Sequence, residues 1–349
     1  MKIAHLIFSF NIGGAETMLV DIINEQTQNA SIGLFIINNV LNEDLLNSVN
    51  KNIPISHMQR KPGSRNIIPL LRLNIRLYKY RPDVIHCHSE DAIKTLLPCF
   101  RRKSVLTIHD IGISTNDFNC YRQLFAISQS VEKDVEKRCG LKPVIVYNGV
   151  QVDTIRVKTH FNKTDYFRII LISRLVHQKK GQHLAIEAIK ILRDKYQIKN
   201  IYLDFIGEGV SRDYLDTLVK SSGLENQIKF LGLRNREYIY SHLRDYDLLI
   251  QPSLYEGFGL TVVEGMIAKV PVLVSNTDGP MEIIDSDQYG YSFNSNDSSD
   301  LAKNILFIYN NNPNEIFHYK LEKSYQYALN KFDIKNTANI YLEEYRKLL

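Results

Sequence analysis

Short apolar runs recur along this chain and alternate with stretches whose apolar residues fall at helical spacing, the pattern of a parallel sheet covered by helices. In the first half it predicts strands at 2–10, 32–40, 83–88, 104–109, 123–128 and 143–147, with helices at 15–28 and near 66–80. Periodicity fades after Asn148-Gly149-Val150 into a polar stretch, Asp153 to Asp165, which reads as a linker. A second series follows, with strands at 167–173, 201–206, 228–231, 247–252 and 270–275 and helices at 182–195, 211–222, 237–245 and 260–268. The expected fold class is α/β: two doubly wound Rossmann-like domains, residues 1–156 and 157–330, facing a central cleft. The tail 331–349 is amphipathic enough to dock back on a domain as a helix.

Composition supports two cores, since 349 residues carry 44% hydrophobic side chains. The opening MKIAHLIFSFNIGG has an apolar run broken by His5, Ser9 and Asn11, so it reads as a strand entering a glycine turn and not as a signal peptide. No stretch approaches the roughly 20 apolar residues of a membrane span. Cys87, Cys99, Cys120 and Cys139 form no C-x-x-C pair, which fits a reducing cytoplasm with neither a zinc site nor a disulfide framework.

Charge is uneven. Residues 1–150 hold 18 basic and 13 acidic side chains, and the remainder holds 25 of each. Between Leu45 and Pro82 there are eight basic residues and no acid. Within that stretch, Ile67 to Lys79 reads as a basic amphipathic helix, so the segment 60–81 is expected to meet an anionic membrane surface, with a solvated helix face as the alternative. Nucleic acid is not an expected partner, because no nucleic-acid module accompanies the patch.

The most informative segment is Gln251 to Glu264, QPSLYEGFGLTVVE. A buried-looking strand runs into Gly257-Phe258-Gly259, and Leu260 onward continues as a helix. A helix start after a glycine turn offers unpaired N–H groups to an anion. Glu264 lies too deep in the helix to be a simple cap, and as an acceptor it suits paired hydroxyls. Alone, the segment could equally be scaffold.

Other strand ends add cations and turns. Arg174 follows one strand and Lys179 lies just beyond it, which suits a diphosphate. The turn Gly207-Glu208-Gly209 admits close backbone approach but lacks the third glycine of a dinucleotide fingerprint. Gly13 and Gly14 precede the first helix, where a phosphate or an acceptor hydroxyl could sit; Glu16 could serve that ligand or simply favour the helix dipole. His86, His88 and His109 fall at strand ends expected to face one crevice, with His109 able to donate a hydrogen bond to a sugar. No metal is expected, because His86 and His88 have no paired carboxylate or thiolate. Asp245 and Asp247 precede their strand at the end away from the crevice, and a helix end and strand start account for them better than a metal does.

Taken together, GGAET near the start, TIHD at 107–110, VYNGV at 146–150, SRLVHQKKG at 173–181, IGEG at 206–209 and YEGFGLTVVEGM at 255–266 resemble the retaining glycosyltransferases of family 4, of GT-B fold. The resemblance spans nearly the whole chain. It implies that Arg174 and Lys179 bind a donor diphosphate and that Glu264 binds ribose hydroxyls. It further implies that Glu256, with the backbone of Gly257, Phe258, Gly259 and Leu260, holds the transferred sugar and its phosphate. His109 would lie beside that sugar, while Gly13, Gly14 and Glu16 would face phosphate or acceptor. Ser173 stands where the family often has glycine. An extra residue in QKKG leaves Lys179 and Lys180 as alternatives, with Lys179 the choice.

The implied activity is metal-independent, retaining transfer of a sugar from a UDP- or GDP-sugar to a glycan or lipid-linked acceptor in surface polysaccharide synthesis, with no cofactor. The implied location is the cytoplasmic face of the cell membrane. A nucleotide-sugar epimerase of the same architecture and a non-catalytic nucleotide-sugar binding protein are the alternatives.

Overall fold

The computed structural model describes residues 1–11, 13–161, 165–312 and 314–349. The chain folds into two compact units, Met1–Val150 with Phe332–Leu349, and Gln151–Lys331. The break therefore falls at 150 and not 156. The start of the polar stretch read as a linker is held on the second unit, where Arg156 N donates to Tyr240 O at 3.0 Å and Lys158 N to Ala268 O at 2.9 Å, while its residues 162–164 lie outside the described residues.

The first unit is a seven-stranded parallel sheet. Its strands are β1 (Lys2–Ile7), β2 (Ser31–Asn38), β3 (Ile55–Arg60), β4 (Val84–Cys87), β5 (Ser104–Ile108), β6 (Gln123–Ala126) and β7 (Val144–Ile145), in the order β3-β2-β1-β4-β5-β6-β7. Order reverses between β1 and β4, which pair in register from Ile3–Val84 to Leu6–Cys87. The inner strands β1, β4 and β5 are buried almost throughout, as a sheet covered on both faces requires.

The tail does return to this unit. Val150 N donates to Phe332 O at 2.8 Å and Ile334 N to Val150 O at 3.0 Å, tying the chain across. Asp333 then caps the helix Ile334–Lys347 by accepting from Lys335 N. That helix packs on the helix Gly14–Gln26 and buries Tyr341 and Tyr345. Each buried aromatic removes on the order of 150–250 Å² from water, enough to fix the tail.

The second unit is a six-stranded parallel sheet of β8 (Phe167–Ile172), β9 (Ile201–Ile206), β10 (Ile228–Phe230), β11 (Leu248–Gln251), β12 (Val272–Ser275) and β13 (Tyr291–Phe293), in the order β10-β9-β8-β11-β12-β13. Its order reverses between β8 and β11. One face of the core is made by the helix Gln182–Asp194, whose Leu184, Ala185, Ala188, Ile189 and Leu192 meet Ile169, Leu171, Leu203 and Phe205 of the sheet. Asp247 is structural here: it accepts from Arg168 N at 2.9 Å and pairs with Lys158 at 2.8 Å.

Candidate functional site

In each unit the switch in strand order is where ligands of doubly wound folds bind, outside the carboxyl ends of the strands. In the second unit the ends of β8 and β11 carry the sequence-selected residues. Gly259, at φ +117°, lies in the left-handed region that favours glycine and starts the helix Leu260–Ile267. A Cβ at this position would press on the Gln251 side chain. The turn thus brings Glu256 back toward the end of β11. There Lys180 Nζ pairs with Glu256 Oε2, while Gln251 Nε2 donates to the same oxygen at 3.2 Å and Ser253 Oγ at 3.4 Å. Thr261 Oγ1 donates to Gln251 Oε1 at 3.0 Å, so the amide is held from both ends. Further along the helix, Glu264 Oε1 accepts from Tyr240 OH at 3.2 Å.

The loop after β8 is anchored from beneath. Gly207, at φ +133°, packs so closely on Ser173 O that any Cβ would collide with it. The close approach expected at the Gly207-Glu208-Gly209 turn is thus made by this loop, with Leu175 N donating to Glu208 O at 3.0 Å. Gln182 Nε2 donates to Ser173 Oγ and to Arg174 O, both at 2.9 Å, and its Oε1 is buried with no partner among the described residues. The loop backbone is fixed while the Arg174 side chain is exposed. Lys179 Nζ stands 4.9 Å from the centre of the Tyr255 ring.

Gln182, Gln251 and Ser253 escaped sequence reasoning. Their signal was polarity at positions that pattern alone would make apolar. Lys180, the alternative not chosen, is the lysine that pairs with Glu256.

The first unit's edge is different in kind. At the first helix, a Cβ on Gly13 would collide with the Glu16 carboxylate, so Glu16 folds back over the helix start. A carboxylate in the first turn is favoured by the helix dipole.

The histidines of β4 and β5 do not all turn one way. His86 lies wholly inside: Tyr345 OH is 2.5 Å from its Nδ1, and Thr107 Oγ1 is 2.7 Å from its Nε2. The expectation that it faces a crevice fails because the returning helix Ile334–Lys347 covers it. His88 bridges His5 and His109, at 3.0 and 3.4 Å. His5 on β1 was passed over in the sequence as a break in an apolar run. Nitrogens of His5, His86 and His88 lie within 4.8 Å of one another, close enough for one cation, and each ring is also engaged in the hydrogen bonds just given. Burial lowers His5 and His109 to about 4 and drives His86 and His88 well below the ordinary value, with neighbouring histidines adding to the effect on the last two.

The model of the glycosyl transferases group 1 matches residues 152–328, and that of glycosyltransferase family 4 matches residues 12–154. The chain belongs to the group 1 glycosyl transferases.

Relatives and solved structures of this glycosyl transferase agree. An uncharacterized glycosyltransferase of Methanocaldococcus jannaschii is 28% identical over 239 residues, 58% of this chain and 60% of that protein. The amylovoran biosynthesis glycosyltransferase AmsK of Erwinia amylovora is 29% identical over 164 residues, 45% of this chain and 40% of its own. The chain thus spans about half the length of the curated relatives it matches. A glycosyltransferase from Rickettsia africae has a TM-score of 0.83 at 18% identity, covering 99% of this chain and 98% of the other. HepE of Anabaena, crystallised with UDP and glucose, has a TM-score of 0.81 at 22% identity, covering 99% of each chain. These likenesses confirm the GT-B fold.

Proposed function

We propose that this transferase moves a hexosyl group from a UDP-sugar to a glycan or lipid-linked acceptor of a surface polysaccharide, with retention of configuration and without a metal. The carrying observation is the cluster at the end of β11, where Lys180, Gln251 and Ser253 converge on Glu256 beside the helix start at Gly259. A diphosphate arriving there competes for Lys180 and releases Glu256 to accept from sugar hydroxyls. Arg174 and Lys179 supply further positive charge and Glu264 takes the ribose hydroxyls, so the second unit is the donor-binding half. His109 is assigned to the transferred sugar, and the acceptor to the first unit. UDP is preferred over GDP because the Anabaena structure of the same fold carries UDP and glucose. A polysaccharide product accords with the amylovoran relative.

In the proposed step the bond from the anomeric carbon to the diphosphate oxygen breaks as the acceptor oxygen bonds to the same face. The acceptor proton passes to the departing phosphate. Charge growing on the diphosphate is met by Arg174, the lysines and the N–H groups at the helix start, a preorganised electrostatic role. Thermal denaturation with UDP, GDP and their sugars tests the donor, because a ligand of the folded state raises the midpoint. UDP compounds are expected to stabilise the protein in EDTA. Stabilisation by GDP compounds alone would overturn the donor assignment.

A peripheral membrane location belongs to the same proposal. The helix Ile68–Tyr80 exposes Leu71, Ile75 and Tyr78 beside Arg72, Arg76 and Lys79, with Ile67 and Ile68 exposed at its start. Large apolar side chains interleaved with cations suit the headgroup boundary of anionic lipid. Among the described residues no helix is long and apolar enough to cross a membrane.

A further inference from the structure

Three histidines of the first unit form a single hydrogen-bonded line that begins at an amide and ends at the half-buried His109. Gln26 Oε1 is 2.9 Å from His5 Nε2, His5 Nδ1 is 3.0 Å from His88 Nε2, and His88 Nδ1 is 3.4 Å from His109 Nε2. Along it the rings lie nearly parallel, His5 to His88 at 21° and His88 to His109 at 30°. His5 is fully buried and His88 is 6% exposed, while His109 is half-buried just past the end of β5. The Nδ1 atom of His109 has no hydrogen-bond partner among the described residues.

The direction of the line follows from the inventory of donors and acceptors. With the Gln26 oxygen facing His5, as placed here, that oxygen only accepts, and His5 carries its proton on Nε2. A neutral imidazole has one N–H, so His5 Nδ1 accepts from His88 Nε2–H, and His88 Nδ1 in turn accepts from His109 Nε2–H. Burial keeps all three rings neutral under ordinary conditions.

We infer that Gln26, His5 and His88 are positioning residues that hold His109 in the tautomer protonated on Nε2, leaving Nδ1 to accept a hydrogen bond from a substrate hydroxyl. This reverses the polarity expected of His109, which the sequence cast as a donor. The inference rests on the proposed placement of His109 beside the transferred sugar.

Long-range proton–nitrogen correlation spectra of the full chain labelled with nitrogen-15 histidine read the tautomer directly. Peaks of His109 are assigned by their loss in His109→Gln. The native protein is expected to show His109 protonated on Nε2, and a His109 protonated on Nδ1 would overturn the relay without recourse to any variant. Gln26→Met removes the terminal acceptor and is expected to leave His109 as a mixture of tautomers. Its kcat for UDP release from UDP-glucose, or GDP release from GDP-mannose if that nucleotide stabilises the fold, should fall about tenfold with little change in donor KM. An unchanged tautomer in a folded Gln26→Met would refute the control by Gln26. Native turnover in His109→Ala would instead overturn the placement of His109 beside the substrate, so the two failures are distinguishable.

Discussion

At the carboxyl edge of the second sheet, Arg174, Lys179, Lys180 and Glu256 are charged side chains reaching solvent or one another. At the same edge of the first sheet, His5, His86 and His88 are hidden and answer mainly to other side chains of their own unit. Both edges arise from one topology, a reversal of strand order in a doubly wound sheet. Their difference is one of closure. The tail helix Ile334–Lys347 seals His86 in the first unit through Tyr345. In the second unit the glycine turns pin loop backbone and leave the cations at the surface. An edge with open charge suits an anionic leaving group, whereas a neutral, internally satisfied edge suits fixed hydrogen-bond polarity.

The sharpest break of this contrast is at Lys180. Lys180→Met should lower transfer by on the order of 10²–10³, the usual cost of removing a group that stabilises developing charge, with circular dichroism unchanged. If Lys179→Met costs that much and Lys180→Met less than about threefold, then the diphosphate cation is Lys179 and the pair with Glu256 is merely structural.

Acid should separate the units. His5 has a folded-state value near 4 against an ordinary 6.5, so the unfolded chain binds the extra proton between those limits. Stability is therefore complete above about pH 6.5 and falls as pH drops toward 4, by about 3 kcal/mol from His5 alone. Hydrogen exchange corrected for intrinsic rates should show amides of β1 and β4 losing protection across that window before those of β8 and β9. The reverse order would contradict the buried neutral cluster.

The smallest effect concerns the basic surface confined to the first unit. Replacing Arg72, Arg76 and Lys79 with Glu should release the protein from phosphatidylglycerol vesicles, each charge near the surface contributing about 1 kcal/mol. Turnover on a soluble acceptor should be unaltered. Unchanged co-sedimentation would remove the membrane from the account.

Much of this was legible in the chain because inner parallel strands are continuous apolar runs. Strands β3 and β13 were not legible, and both are sheet edges: Ile55–Arg60 reads ISHMQR with one buried position, and β13 has only three residues. The helix Gln129–Cys139 was passed over because Val131 and Val135 are nearly its whole apolar stripe, although Ser128 caps it and Gly140 ends it. At the site, charged and glycine positions declared themselves through spacing. The groups that aim them have partners set by tertiary contact, which no local pattern encodes: Gln251 and His5 sit in apolar runs, and Gln182 in a polar helix start.

The central claim is that the second unit alone grips the donor nucleotide. Isothermal titration with UDP against the native protein, Arg174→Ala and His109→Ala tests it most directly. The account predicts at least about a tenfold loss of affinity in Arg174→Ala, as for one charge-assisted contact, and native affinity in His109→Ala. Native affinity in Arg174→Ala together with a loss in His109→Ala would contradict it.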